Sequence, residues 1–349
     1  MGLALPLMPL IGMALASISG FTFFWYLTPV YVFVLIPVLD WMVGEDRSNP
    51  PESAVATLAA DRWYRFWLMA YIPLHWLVLL FGLWQLTTVD LGVAATAGLV
   101  ISMGLVSGGG INVAHEIGHK RGSFNTWAAW LALAPACYGH FHVEHNRGHH
   151  VRVSTPDDPA SSRLGESYLQ FWLRCVPGSI RSAWQLEQTR LRRLGLAWWH
   201  NENLTSWSLS LLLVATLFWW LGGFAVAMFL VQAVIGFSLL ELVNYIEHYG
   251  LKRQRTENGQ YERPQAEHSW NSNHLVSNLM LYHLQRHSDH HAHGARPYQA
   301  LRHIESAPQL PAGYAVMIVL AMFPPLWRSV MDRRVSEHYQ GDLSRANHV

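Results

Sequence analysis

The chain has 349 residues, of which 51% are apolar and only 13% are charged, and its net charge is +1. A charge balance so close to neutral argues against a nucleic-acid-binding protein. The first 39 residues contain no charged side chain, which is unusual for a soluble domain. The composition therefore predicts a membrane protein.

Six apolar stretches predict six transmembrane helices within one membrane-embedded, all-α domain covering residues 1–349. Each approaches the ~20 residues needed to cross ~30 Å of hydrocarbon. They are residues 3–19, 22–43, 64–85, 91–113, 204–221 and 223–245. Short breaks at residues 19–20, 86–90 and 222–223 pair them as hairpins. The polar sections are residues 44–63, 114–203 and 246–349.

All 24 Lys and Arg residues lie within or beside those polar sections, at residues 47–65, 120–193 and 252–345. The positive-inside rule then predicts that these sections and both termini are cytoplasmic. The first apolar stretch has no positive region before it, and a second span follows at once. It is therefore predicted to be a retained span rather than a signal peptide.

The chain carries 20 histidines, and many of them fall in three clusters with helical spacing. His115 and His119 are four residues apart, so a helix would place both rings on one face. The other two clusters show the same kind of spacing, and they are His145, His149 and His150, and His287, His290 and His291. His248 stands alone at the end of the sixth predicted span. Neutral imidazole binds iron, zinc, copper and nickel.

These nine histidines are more than one metal ion can use, so the count predicts two metal ions with four or five nitrogen ligands each. Other histidines are interpreted as solvated or locally bonded, namely His75, His200, His303, His338 and His348. An intermediate set lies near the clusters but outside the spacing pattern, namely His140, His142, His268, His274, His283 and His293. Carboxylates beside the ligands are candidates to orient them, namely Glu116, Glu144, Glu247 and Asp289.

Two other functions can be weighed against these residues. HEIGH at 115–119 matches the H-E-x-x-H pattern of zinc proteases, with Glu116 as the base. A catalytic zinc uses three protein ligands, which leaves six of the nine histidines unexplained. A metal transporter would place its ligands near the middle of the membrane, whereas these histidines lie at or beyond the ends of the spans.

The three histidine boxes resemble those of the integral-membrane desaturase and hydroxylase superfamily, and within it the bacterial alkane 1-monooxygenases. The resemblance is carried by the stretches HEIGHK at 115–120, EHNRGHH at 144–150, NYIEHYGL at 244–251 and LQRHSDHHA at 284–292. It extends to GEDRSNPPE at 44–52, TPDDPASSRLGES at 155–167 and SWNSNHLVSN at 269–278. It implies that all nine histidines bind iron in a di-iron site.

The resemblance also implies a bacterial inner-membrane enzyme that hydroxylates medium-chain n-alkanes at the terminal carbon with O2. Its electrons would come from a separate rubredoxin and an NAD(P)H-dependent rubredoxin reductase. Xylene-type methyl-aromatic oxidation and acyl-lipid desaturation or hydroxylation remain alternatives. Basic residues that could attract an acidic rubredoxin are Arg190, Arg192 and Arg193. Candidates for lining a substrate tunnel are Phe23, Phe24, Trp25, Tyr31 and Phe33.

Overall fold

The computed structural model describes residues 2–349, and within them the secondary structure is helical apart from isolated bridges. We number the helices in chain order. They are α1 Ala4–Ser19, α2 Thr22–Val43, α3 Val55–Ala60, α4 Arg62–Thr88, α5 Gly92–Gly118, α6 Ser123–Leu133, α7 at residues 141–152, α8 Tyr168–Leu194, α9 Glu202–His248, α10 Leu275–Met280, α11 His287–Ala292, α12 Tyr314–Ala321 and α13 Pro324–His338.

Four of these helices, α2, α4, α5 and α9, are long and apolar enough to cross a membrane, and α1 is a shorter apolar helix. All five coincide with predicted spans, which confirms an all-helical membrane protein. Two of them begin where a polar side chain accepts a hydrogen bond from the first turn. Asp61 accepts from the Trp63 N–H before α4, and Asn201 accepts from the Asn203 N–H before α9.

The helical backbone of α9 is interrupted at Gly222, whose φ of 80° and ψ of −177° are not helical. A positive φ is easily adopted only by glycine. The Ser210 hydroxyl donates to the Ala134 carbonyl at 3.1 Å, and the Gln232 amide donates to the Pro135 carbonyl at 2.7 Å. A continuous helix would separate residues 210 and 232 by ~33 Å. The two halves of α9 therefore fold back against each other, as the sequence predicted for residues 222–223.

Small residues allow α5 and the second half of α9 to pack closely. A side chain at Gly236 would place its Cβ 2.8 Å from the Ser107 Cβ, and one at Gly104 would meet Ile235 at 2.5 Å. Such contacts between small residues are a common means of packing membrane helices. They fix the end of α5, which carries His115, beside the end of α9, which carries His248.

A second region, which we call the head (residues 119–200 and 249–349), packs on these helix ends. It has its own apolar core, which includes Phe171, Trp327 and Met331. Asp40 near the end of α2 accepts hydrogen bonds from the backbone N–H and the hydroxyl of Ser277 in α10. This contact ties α10 of the head to α2.

Candidate metal centre

Nine of the 20 histidines meet where α5, α7, α9 and α11 converge, and they form two groups. In each group the ligand nitrogen atoms all lie within 4.8 Å of one another. The five-histidine group consists of His115, His119, His145, His150 and His290, and the four-histidine group of His149, His248, His287 and His291. The structure thus brings together the nine histidines singled out by the sequence. Their role as metal ligands stays a prediction.

Ring nitrogen atoms in the five-histidine group face one another at close range. The Nε2 atom of His150 lies 3.0 Å from the Nε2 atoms of both His145 and His290, and the Nε2 atom of His115 lies 2.9 Å from that of His290. A neutral imidazole has one N–H donor and one acceptor nitrogen. Since most of these rings are buried, a cation among the nitrogen atoms is the natural partner for their lone pairs.

The backbone of α7 explains how three histidines so close in sequence serve two groups. Residues His145–His149 form a π-helical turn, in which the His150 N–H donates to the His145 carbonyl five residues earlier. Turns of this kind occur frequently at functional sites. His145 and His150 belong to the five-histidine group, while His149 belongs to the other. In α11, His287 and His291 share the four-histidine group at i, i+4 spacing, and His290 points to the five-histidine group.

Asp158 contacts one histidine of the four-histidine group. Its Oδ2 atom lies 2.9 Å from Nδ1 of His149, and the side chain also accepts from the Ser161 hydroxyl at 2.6 Å. Although burial alone would raise the pKa of Asp158, the contacts with His149 and Ser161 lower it to about 2. The ionised carboxylate holds the proton on Nδ1, so that the unpartnered Nε2 of His149 presents a lone pair to the group.

The protonation of the other rings in the head also suits a metal site. Burial, followed by the neighbouring imidazoles, keeps the pKa of His145, His287, His290 and His291 well below the usual value for histidine. These rings are therefore neutral near pH 7, which is the form that binds a metal ion. The donor set of buried neutral imidazoles accordingly fits iron, as the resemblance implied.

The four candidate carboxylates differ in what they touch. Glu116 pairs with Lys120 at 3.0 Å and Glu144 with Arg152 at 2.7 Å. Asp289 pairs with Arg296 at 2.9 Å and with His293, which lies outside both groups. Of the four, Glu247 is within ion-pair distance of a grouped histidine, at 3.1 Å from Nε2 of His287. Asp158 was missed by the sequence analysis, although it lies in the stretch TPDDPASSRLGES quoted for the resemblance.

The remaining histidines lie outside both groups. His75 is buried in α4, where Nε2 lies 2.9 Å from the Ser107 hydroxyl. His268 pairs with Glu262, and His303 with Glu305. His140 lies beside the groups, because it lines a small cavity together with His145 and His149. Its Nε2 atom has no hydrogen-bond partner among residues 2–349.

An apolar cavity lies inside the bundle of spans, close in sequence to residues that carry the histidine groups. Its wall includes Leu105 and Asn112 of α5, and Asn112 lies three residues before His115. Tyr314, also in the wall, donates to Glu247 at 2.7 Å, which links the cavity to the four-histidine group. Leu105 lies ten residues before His115, or ~15 Å along the helix. The cavity thus lies in the interior of the spans, and Tyr314 separates it from the four-histidine group.

None of the five aromatic tunnel candidates on α2 lines this cavity, although Val32 and Ile36 of the same helix do. Trp25 is buried in the main core, with Phe24 and Tyr31 packed against it. Phe33 packs against the core of the head, and Phe23 is 57% exposed. Which residues of α2 contact a substrate stays a prediction.

Membrane-length helices with two buried histidine groups at one end define a histidine-rich integral-membrane enzyme as the class of this protein. The family model for fatty acid desaturases matches residues 91–321. Alkane 1-monooxygenase 1 of Alcanivorax borkumensis is 45% identical over 342 residues, which cover 97% of this chain and 85% of that protein. Alkane 1-monooxygenase 2 of Pseudomonas aeruginosa is 49% identical over 321 residues, which cover 89% of this chain and 84% of that protein.

A more distant similarity bears on the alternative substrate class. The xylene/toluene monooxygenase hydroxylase component of Pseudomonas putida is 29% identical over 242 residues, which cover 66% of this chain and 62% of that protein. The alkane enzymes match more of the chain at higher identity. The chain therefore belongs to the fatty acid desaturase family and, within it, to the alkane 1-monooxygenases.

Proposed function

We propose that this protein hydroxylates the terminal carbon of medium-chain n-alkanes with O2, at a di-iron centre held by the nine grouped histidines. The observation that carries the proposal is an apolar cavity inside the spans whose wall residue Tyr314 contacts Glu247, beside two buried histidine groups. The reaction is the one implied by the family membership, and the cavity offers a binding place for the alkane. The balanced reaction takes an alkane, O2, two electrons and two protons to a 1-alkanol and water.

The cavity determines how an alkane is bound and presented. Burial stabilises the bound alkane by about 0.8 kcal/mol per CH₂ when the alkane enters from water, and by less when it enters from lipid. Since the wall is mostly apolar, it offers little chemical selectivity, and its shape decides which carbon reaches the histidines. When bound, iron would supply the activation of O2. The polypeptide contributes the neutral ring nitrogens, the Asp158 contact that orients His149, and the exclusion of water.

We further propose six spans, with the two folded-back halves of α9 counted separately and α1 included. The head and both termini would be cytoplasmic in the bacterial inner membrane. The support is the restriction of Lys and Arg to three regions of the sequence.

The proposed electron donor is a rubredoxin, reduced by an NAD(P)H-dependent reductase. A groove beside α7 is lined by Arg147, Arg152, Arg190 and Arg193, and although Arg147 and Arg152 are paired with Glu187 and Glu144, a basic surface here would attract an acidic protein. Arg190 is paired with Glu187, so the exposed Arg192 and Arg193 are the freer charges of the three predicted from the sequence.

One experiment tests the proposed function directly. The purified protein is analysed for iron per chain and assayed with octane, rubredoxin, reductase and NADH, and the products are identified by gas chromatography. Two irons and 1-octanol are expected. A competing assay with xylene addresses the methyl-aromatic alternative, which the more distant relative brings forward. Zinc in place of iron, or faster turnover of xylene than of octane, would contradict the proposal.

Changing the wall of the cavity should change the preferred chain length. We expect Leu105→Trp to lower turnover of the longest accepted alkanes at least tenfold while shorter ones remain substrates, because the larger ring fills the end ~15 Å from His115. Leu105→Ala should extend the range instead. The measurement is product formation across a series from hexane to hexadecane. As a control, Val93→Trp alters an exposed position of the same helix and should leave the profile unchanged.

A further inference from the structure

The carboxylate of Glu247 lies against the four-histidine group. Glu247 is 1% exposed and precedes His248 at the end of α9. Its Oε2 atom is 3.1 Å from Nε2 of His287, while the same nitrogen lies 3.2 Å from Nε2 of His248 and 2.9 Å from Nε2 of His291. The carboxylate oxygen is thus as close to His287 as the neighbouring ring nitrogens of the group are.

Those distances are the ones expected between ligands of one ion. Two donors bonded at ~2.1 Å to the same first-row metal ion, at right angles, lie about 3 Å apart. The N–N pairs around His287 and the O–N pair to Glu247 all meet that condition. The carboxylate approaches from the His287 side of the group and needs no change of backbone to reach an ion there.

The buried carboxylate of Glu247 would also be stabilised by a cation. Glu116, Glu144 and Asp289 each have a Lys or Arg partner, whereas the partner of Glu247 within ion-pair distance, among residues 2–349, is His287. A buried carboxylate without a cation is costly unless it coordinates a metal or takes up a proton. Glu241 is buried without a cation as well and lines a small cavity with His145 and His149, but it accepts a hydrogen bond from Tyr138 at 2.7 Å, and among residues 2–349 no grouped histidine lies within ion-pair distance of it.

The second oxygen of Glu247 is held in place. Its Oε1 atom accepts a hydrogen bond from the Tyr314 hydroxyl at 2.7 Å. The Tyr314 N–H in turn donates to the Gln285 side chain at 2.8 Å, which fixes the start of α12 beside the histidine groups. This arrangement leaves Oε2 as the free donor atom and points it towards His287.

We infer that Glu247 is a ligand of the metal ion in the four-histidine group. The inference rests on the proposed di-iron site and adds to it. Each ion then has five protein donors, but the two are inequivalent, since one set is all nitrogen and the other includes an anionic oxygen. The carboxylate offsets part of the positive charge of its ion, so this iron is the harder one to reduce.

Glu116 supplies a matched control, because it is also a buried glutamate next to a grouped histidine but is bound to Lys120. The variants Glu247→Gln, Glu247→Ala, Glu116→Gln and Glu116→Ala are loaded anaerobically with iron-57 as full-length protein in detergent. Iron per chain, release of iron to a chelator, and the Mössbauer spectrum are measured, with thermal unfolding as a check on folding.

We expect wild type and both Glu116 variants to hold two irons with two distinguishable Mössbauer signals. Glu247→Ala should release one iron at least tenfold faster, and Glu247→Gln should shift one signal while the other stays unchanged. Equal release rates and unchanged spectra in folded Glu247 variants would overturn the inference. A wild-type protein that does not bind two irons would instead contradict the proposed function, so the two failures are distinguishable.

Discussion

Replacing His290 by alanine is expected to abolish alkane hydroxylation and to lower the iron content towards one per chain. The Nε2 atom of His290 lies 2.9 Å from that of His115 and 3.0 Å from that of His150, so its loss opens the five-histidine group at its centre. Removing an outer partner of a metal ligand costs 10–100-fold in affinity or activity, and loss of a ligand should cost more than ~100-fold. The measurements are 1-octanol formation and iron per chain.

His293→Ala is the matched control for this experiment. His293 lies three residues further along, its side chain is 55% exposed, and it belongs to neither histidine group. Asp289, which it contacts, remains held by Arg296 at 2.9 Å. We expect two irons and turnover within about twofold of wild type, as for most exposed substitutions. If His290→Ala kept both irons and full activity, His290 would be removed from the ligand set.

Replacing Asp158 by asparagine is expected to lower iron affinity or turnover by about 10–100-fold while the protein stays folded. The carboxylate fixes the proton of His149 on Nδ1, and an amide can instead donate to that nitrogen and favour the wrong tautomer. The negative charge that favours a bound cation is lost as well. Iron release to a chelator and 1-octanol formation are the measurements, with thermal unfolding recorded because Asp158 also accepts from Ser161.

Asp157→Asn provides the comparison, since it removes the same charge one residue away at an exposed position. Its iron release and turnover should match wild type. Equal behaviour of the two variants would show that Asp158 acts only as part of the local turn. A loss of folding in Asp158→Asn alone would point to the Ser161 contact, and Ser161→Ala would then reproduce the effect.

The zinc-protease reading of residues 115–119 is weakened by the surroundings of Glu116. In a protease this glutamate would be free to act on a water molecule beside the metal. Here its carboxylate pairs with Lys120 and accepts from the Tyr298 N–H at 3.3 Å. His115 and His119 share a group with three further histidines, which exceeds the three protein ligands of a catalytic zinc.

The sequence by itself determined the helical membrane class, the approximate spans and the set of nine histidines. Apolar length, the positions of Lys and Arg, and i, i+3 and i, i+4 spacing are local properties, and each can be read along a single helix without knowledge of its neighbours. The break at Gly222 was also visible, because glycine pairs mark turns between apolar runs. His248, alone in the sequence, was included because it stands at the end of the sixth predicted span, and the stretch NYIEHYGL around it supported the resemblance.

Only the tertiary structure decided how the histidines divide and what surrounds them. Helical spacing placed His145 and His149 on one face, but the π-helical turn sends them to different groups. Asp158 is nine residues from His149, which exceeds the i, i+3 and i, i+4 spacings used to predict neighbours on a helix. It contacts the His149 ring because the chain turns back after α7. The cavity wall joins α2, α5, α9, α10 and α12, which are far apart in sequence. Contacts of this kind depend on packing between elements, which no local pattern specifies.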